Sequence, residues 1–172
     1  MHFNLELLMT LHRSFYQSSD YFMFLLSVEY KLQKKNVCFG ARGNKFGSFK
    51  LTEAGTLNSI KLVHKSGYVS CMSGSSGNSN WGCGGDAIST VVTNGNNQLL
   101  FPRDMSSDGW YTLPSRNSKS MELVLDKSTS LIRMNKGDEL RIWYGEDLRG
   151  HTESDNHGRV CVDVYADIGK TQ

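Results

Sequence analysis

From Asn36 onward, apolar residues recur at every second position in short runs parted by turn-forming residues. A period of two is the period of a β-strand, whose successive side chains point to opposite faces. Ile60, Leu62 and His64 alternate with Lys61, Val63 and Lys65, and Met121, Leu123 and Leu125 with Glu122 and Val124. Leu140, Ile142 and Tyr144 alternate with Arg141 and Trp143, and Val160, Val162 and Val164 with Cys161, Asp163 and Tyr165. The pattern predicts strands at 37–40, 46–51, 57–65, 68–71, 87–93, 98–101, 110–113, 121–125, 131–134, 139–144 and 159–166. Asn94-Gly95 suits a hairpin turn of two or four residues, because both residues tolerate positive φ. Seventeen glycines against 2 prolines supply the turns such an array needs. Many short strands with no long amphipathic helix among them specify an all-β domain, and we expect a two-sheet β-sandwich of jelly-roll or Greek-key type over 36–168.

The cysteines test that expectation. Cys38, Cys71, Cys83 and Cys161 are even in number and widely spaced, without the paired knuckles of a zinc site, so two disulfides are expected. The flexible SGSSGNSNWG segment can close Cys71 onto Cys83, which leaves Cys38 for Cys161. If Val37 and Phe39 point inward, Cys38 points outward; if Val160, Val162 and Val164 point inward, so does Cys161 point outward. First and last strands lying side by side would bring the two thiols together. Disulfides belong to an oxidising compartment, so an extracellular location follows, secreted or at the cell surface.

Residues 1–35 read as a separate N-terminal segment and 169–172 as a tail. Leu5, Leu8, Leu11 and Phe15 recur at near-helical spacing. The apolar run from Tyr21 to Val28 resembles the core of a secretion signal but follows Asp20, precedes no small-residue cleavage site and is too short to span a bilayer. Within 36–168, basic residues dominate up to Gly137 and acidic ones from Asp138 onward, without a basic stripe along any one segment. Nucleic acid is therefore not an expected partner.

The most polar connection runs from Gly145 to Arg159. It holds Glu146, Asp147, Glu153, Asp155 and Asn156, oxygen donors of the kind calcium takes, and these are the candidate metal ligands. Arg149, His151 and His157 lie in the same loop, and with the aromatic residues Trp81, Trp110 and Trp143 they form the candidate ligand-binding set. An aromatic face beside Asn, Asp and Arg side chains can stack on a sugar ring or anchor a protein partner. Neither His151 nor His157 fits a catalytic or zinc signature, and no G-x-S-x-G elbow occurs, so no catalytic residue is assigned.

The segments KLVHKSGYVSC, NWGCG, LFPRDMSSDGWYTLP and ELRIWYGEDLRGHTESDNHGRVCVDVYAD together resemble a family of secreted β modules from marine invertebrates. The resemblance covers about Cys38 to Asp167 and rests most on the last segment. It implies an extracellular β module and brings with it no catalytic residues and no cofactor. The reading that follows is an extracellular, non-enzymatic binding or adhesion module whose ligand is a glycan or a protein surface, with calcium as the candidate cofactor. A disulfide-bonded structural matrix component is the alternative, and a hydrolase using the acidic loop 145–159 the third.

The strand pattern begins only near Val37, so deleting residues 1–30 should leave the cooperative unfolding transition in place. Loss of that transition in a thermal melt of the truncated chain would place the early apolar segments in the core.

Overall fold

Nine strands build two antiparallel sheets in the computed structural model, which describes residues 28–126 and 131–170. The helical spacing at Leu5 to Phe15 and the run from Tyr21 as far as Ser27 lie outside the described residues. In the first sheet β1 (Lys31–Gly40), β9 (His157–Gly169), β3 (Gly55–Ser70) and β6 (Glu122–Asp126) lie side by side in that order, and β7 (Ile132–Met134) pairs with the opening residues of β3. In the second sheet the order is β2 (Gly47–Lys50), β8 (Glu139–Tyr144), β4 (Thr90–Asn94), β5 (Leu99–Phe101). The chain crosses repeatedly from one sheet to the other, which is the expected all-β sandwich.

The inward faces are those the alternation predicts. Val37, Phe39, Ile60, Leu62, Leu123, Leu125, Val160, Val162 and Val164 are buried on one sheet, and Phe49, Val92, Leu140, Ile142 and Tyr144 on the other. Each such side chain contributes roughly 1.5–3 kcal/mol through the apolar surface it removes from water. Among the described residues no helix is long and apolar enough to cross a membrane.

Four departures from the expected pattern have physical reasons. β1 begins at Lys31 and not at Val37. Its first residues face solvent on both sides of an edge strand, so no apolar alternation marks them. The strands expected at 57–65 and 68–71 are one strand, β3. A register shift between His64 and Ser66, with Gly67 at φ 78°, lets the ladder to β9 continue across the break. The segment 110–113 makes only isolated bridges, Ile88 to Tyr111 and Leu113 to Arg116. The β4–β5 hairpin uses the longer loop, and its positive φ falls on Asn97 instead of on Asn94 or Gly95. The Asn94 side chain shapes that loop by accepting the N–H groups of Asn96 and Gln98 at 2.9 and 3.0 Å.

Both disulfides form as the sequence predicts, Cys38 with Cys161 and Cys71 with Cys83. Cys38 and Cys161 are directly paired in the β1–β9 register, and both sit on the outward parity, with Val37, Phe39, Val160 and Val162 turned into the core. The bridge closes a sequence separation of 123 residues, so it constrains the unfolded chain strongly. Replacing Cys38 and Cys161 together by Ser should lower the unfolding free energy by about 2–5 kcal/mol. The β1–β9 hydrogen-bond ladder remains, so native circular dichroism at room temperature should be kept. Denaturant titration measures the first effect, and an unchanged midpoint would show that the ladder alone holds the two strands.

Candidate functional site

The loop after β8 is not a plain connection. Glu146 and Asp147 lie in the first turn of a short helix, α1 (Gly145–Arg149), whose end is closed by Gly150 in the left-handed region at φ 61°. A 3₁₀ turn, Glu153–Asp155, follows directly before β9. Acidic residues in a first turn meet the unsatisfied N–H groups there, and a left-handed glycine ends a helix without a Cβ clash. The chain thus folds back on itself at one end of the sandwich.

Two other segments pack against this loop. The turn between β1 and β2 is held by its acids: Asp147 accepts the N–H groups of Asn44 and Lys45 at 2.9 and 3.2 Å, and Glu153 accepts that of Gly43 at 3.0 Å. Arg42 donates to the Ser154 carbonyl at 2.8 Å, and Asn156 Nδ2 to the Ala41 carbonyl at 3.2 Å. On the other side stands the turn that ends at Trp110. Its backbone lies directly against the start of α1. A Cβ placed on Gly109 would come within 2.4 Å of the Gly145 carbonyl carbon, and one on Gly145 within 2.3 Å of the Gly109 oxygen. Ser89 fastens both, donating to the Gly109 carbonyl at 2.9 Å and accepting the Gly145 N–H at 3.0 Å.

Where these segments meet, Glu146 is buried. Its Oε1 accepts the Trp110 indole N–H at 3.1 Å and the Thr152 hydroxyl at 3.2 Å. Its Oε2 has no hydrogen-bond partner, and neither has Oδ1 of the fully buried Asn156. The Trp110 ring is half-buried and stands edge-on to Tyr144, 6.0 Å between centroids. Burial pushes the Glu146 carboxyl above its ordinary range, against the opposing pull of its Asn156, Trp110 and Thr152 neighbours and of the His151 charge. Asp147 is raised too, by burial first and then by the nearby Glu153. Glu153 is held low, chiefly by the Gly43 N–H. Buried acceptors without a donor cost about 1–3 kcal/mol.

The structure corrects several expectations. Trp81 is fully buried, with its indole N–H on the Ser120 carbonyl at 2.5 Å, so it offers no stacking face. Trp143 has the outward parity expected of it but is also buried, with the Phe46 ring 4.7 Å away. The five candidate metal ligands, Glu146, Asp147, Glu153, Asp155 and Asn156, are engaged in different ways. Among the described residues no group of three or more His, Cys, Asp or Glu side chains is placed to hold a metal ion. Asp147 and Glu153 are engaged by backbone amides, which relieve the like-charge repulsion that a cation would otherwise relieve. Asp155 is exposed.

Of the candidate ligand-binding set, Trp110 stands at the site and His151 borders it, exposed, with its backbone N–H on the Glu146 carbonyl at 3.0 Å. Arg149 is exposed in the last turn of α1, while His157 is turned edge-on to Tyr68 of β3, 5.9 Å between centroids. Sequence reasoning passed over Thr152, which carries no charge to mark it, and the Gly43–Lys45 turn, which lies more than 100 positions away in the chain.

Over 82% of its length the chain is similar to AJLec from the sea anemone Anthopleura japonica, with 34% sequence identity, a TM-score of 0.76 and 98% of that chain covered. No protein-family model matches the sequence, nor does any curated protein.

Because the Gly109–Gly145 contact leaves no room for a side chain, Gly145→Ala should force α1 away from the Trp110 turn. We expect a loss of stability of about 1–3 kcal/mol in denaturant titration, as for other overpacked sites. Trp110 fluorescence should shift toward that of a more exposed indole, and an unaltered emission would show that the two segments are positioned independently of this contact.

Proposed function

The chain belongs to the family of AJLec, the sea anemone protein, and from that premise we propose that it is an extracellular carbohydrate-binding module of lectin type. Its glycan would lie at the loop end of the sandwich, over Trp110 and Glu146. The observation that carries this reading is the pair of buried, unpartnered oxygens, Glu146 Oε2 and Asn156 Oδ1, beside an indole ring already oriented by its own hydrogen bond to Glu146. Sugar hydroxyls are donors suited to such acceptors, and the apolar face of a sugar ring suits an indole. The relative's name supports a lectin, and the two disulfides support an oxidising, extracellular setting.

Calcium is a second component of the reading, favoured by the same hard oxygen donors. Glu146 and Asn156 would be its side-chain ligands, and Asp147 and Glu153 would act indirectly by holding the Gly43–Lys45 turn.

A glycan array with and without EDTA tests the proposal and the part of calcium in it. On the best glycan, Glu146→Gln and Trp110→Ala should each weaken binding tenfold or more, about 1.4 kcal/mol, in calorimetric titration. Wild-type affinity in both variants would sink the site assignment. The pH dependence has a definite sign. The carboxylate is the binding form, and burial raises its pKa in the folded protein, so affinity should begin to fall at a pH above the usual carboxylate range of about 4.3. The same burial makes the charged form costly in the folded state, a cost removed as pH drops through the raised pKa. Glu146→Gln should therefore unfold at an equal or higher temperature than wild type at neutral pH while binding more weakly.

A further inference from the structure

We infer that the flank of the sandwich formed by β1 and β2 is a docking surface for an anionic polysaccharide, separate from the loop site. From Lys31 to Lys50 the chain carries Lys31, Lys34, Lys35, Arg42, Lys45 and Lys50 and not one Asp or Glu. All of these residues are exposed. With 19 basic against 17 acidic residues in the whole chain, such a run does not follow from composition. It escapes a charge count that begins at Asn36, because its first three lysines fall in the part of β1 that the alternation did not reveal.

The fold turns the run into a surface. β1 is an edge of one sheet and β2 an edge of the other, and one turn joins them, so both lie on the same flank. Lys34 reaches across from β1, its Nζ donating to the Ser48 carbonyl at 3.0 Å, and Gln33 Oε1 accepts both the N–H and the hydroxyl of Thr52 at 3.0 Å. These bridges hold β1 and its three lysines against β2, with Arg42 and Lys45 in the turn between them and Lys50 at the end of β2. Lys31 pairs with Glu53 at 3.0 Å, whereas Lys34, Lys35, Arg42, Lys45 and Lys50 make no salt bridge among the described residues. Asp147 and Glu153, the acids packed under the turn, direct their oxygens to backbone N–H groups. At about 3.3 Å per residue β1 runs roughly 33 Å, long enough to track several sugar units.

Lysines on an edge strand also discourage unwanted strand pairing. That need does not account for the concentration, because the edges of the opposite flank lack it: β5 carries no charge and β6 carries Glu122 and Asp126. The kind of polyanion follows from what else the flank presents. Phe39 and Phe49 are in the core, and Phe46 is covered by the Arg141 guanidinium at 4.4 Å, so none of the phenylalanines of 31–50 offers a free face to stack on a base. Among the described residues the exposed large apolar side chains there, Val28 and Leu32, are too few to enter a bilayer. Ammonium and guanidinium groups strung along one flank suit the sulfate and carboxylate groups of a linear polysaccharide.

Heparin, titrated calorimetrically into the full chain over a series of salt concentrations, is the probe. Binding is expected with an affinity that falls linearly on a log–log plot against salt, as released counterions require. The triple variant Lys35→Gln, Lys45→Gln, Lys50→Gln should bind more than about tenfold more weakly with a shallower slope, and Lys119→Gln, Lys136→Gln, Lys170→Gln, with the same net charge, should stay within about twofold of wild type. Melting curves confirm that both triples remain folded. Glu146→Gln should keep heparin binding, so a failure of the loop-site reading leaves this one standing and the reverse. Absence of binding near physiological salt, or equal losses in the two triples, would overturn the inference. Tighter binding of duplex DNA or of phosphatidylserine vesicles than of heparin would overturn it as well, by giving the flank to a nucleic acid or a membrane.

Discussion

The antiparallel pairing of the first strand with the last is the interaction on which the remaining structure depends. β1 and β9 meet along their length, with Cys38 opposite Cys161 and bonded to it. Because β1 leads directly into the β2 turn and β9 follows directly from the α1 loop, this one pairing sets two distant segments face to face. The Gly43–Lys45 amides can reach Asp147 and Glu153 only in that register. A slip of one residue would also turn Val37, Phe39, Val160 and Val162 out of the core. Hydrophobic burial and the disulfide therefore specify the same alignment.

That alignment also decides the electrostatics of the loop end. Four carboxylates in a short segment would repel one another if left alone. The fold disposes of them differently: Asp147 and Glu153 are offset by backbone N–H groups, Asp155 remains in water, and Glu146 is buried with only one of its oxygens satisfied. Backbone donors of the distant Gly43–Lys45 turn stabilise two of the charges without an ion, and the cost of an incompletely hydrogen-bonded carboxylate is concentrated at the residue beside Trp110. A group kept at a cost to stability is a common mark of a binding site. The cations of β1 and β2 lie on the adjoining flank, so the domain separates a region of acceptors from a region of positive charge through the same turn.

Much of the fold was legible because its signal is local. The residues of β2, β5, β6, β7 and β8 carry alternation or turn residues that report burial of one face, and the outward parity of Cys38 and Cys161 was readable from their neighbours. The opening of β1 was not, because an edge strand wet on both faces has no period to detect. The Trp81 and Trp143 rings illustrate the same limit from the other side. Parity states which face of a sheet a side chain takes, but Phe46, arriving from a different strand connection, decides whether Trp143 on that face sees water.

By itself the sequence determined the all-β class, the two disulfides and the segment in which the polar chemistry is concentrated, since each depends on residue type and spacing along the chain. Tertiary structure alone decided which of those polar groups remain available. Whether a carboxylate meets an amide, a cation or nothing depends on a segment more than 100 positions distant. Equally, the lysines of β1 and β2 become one surface only when two sheets stack and share an edge. Hydrogen bonds and charge act over a few ångströms in space, and only folding sets those distances.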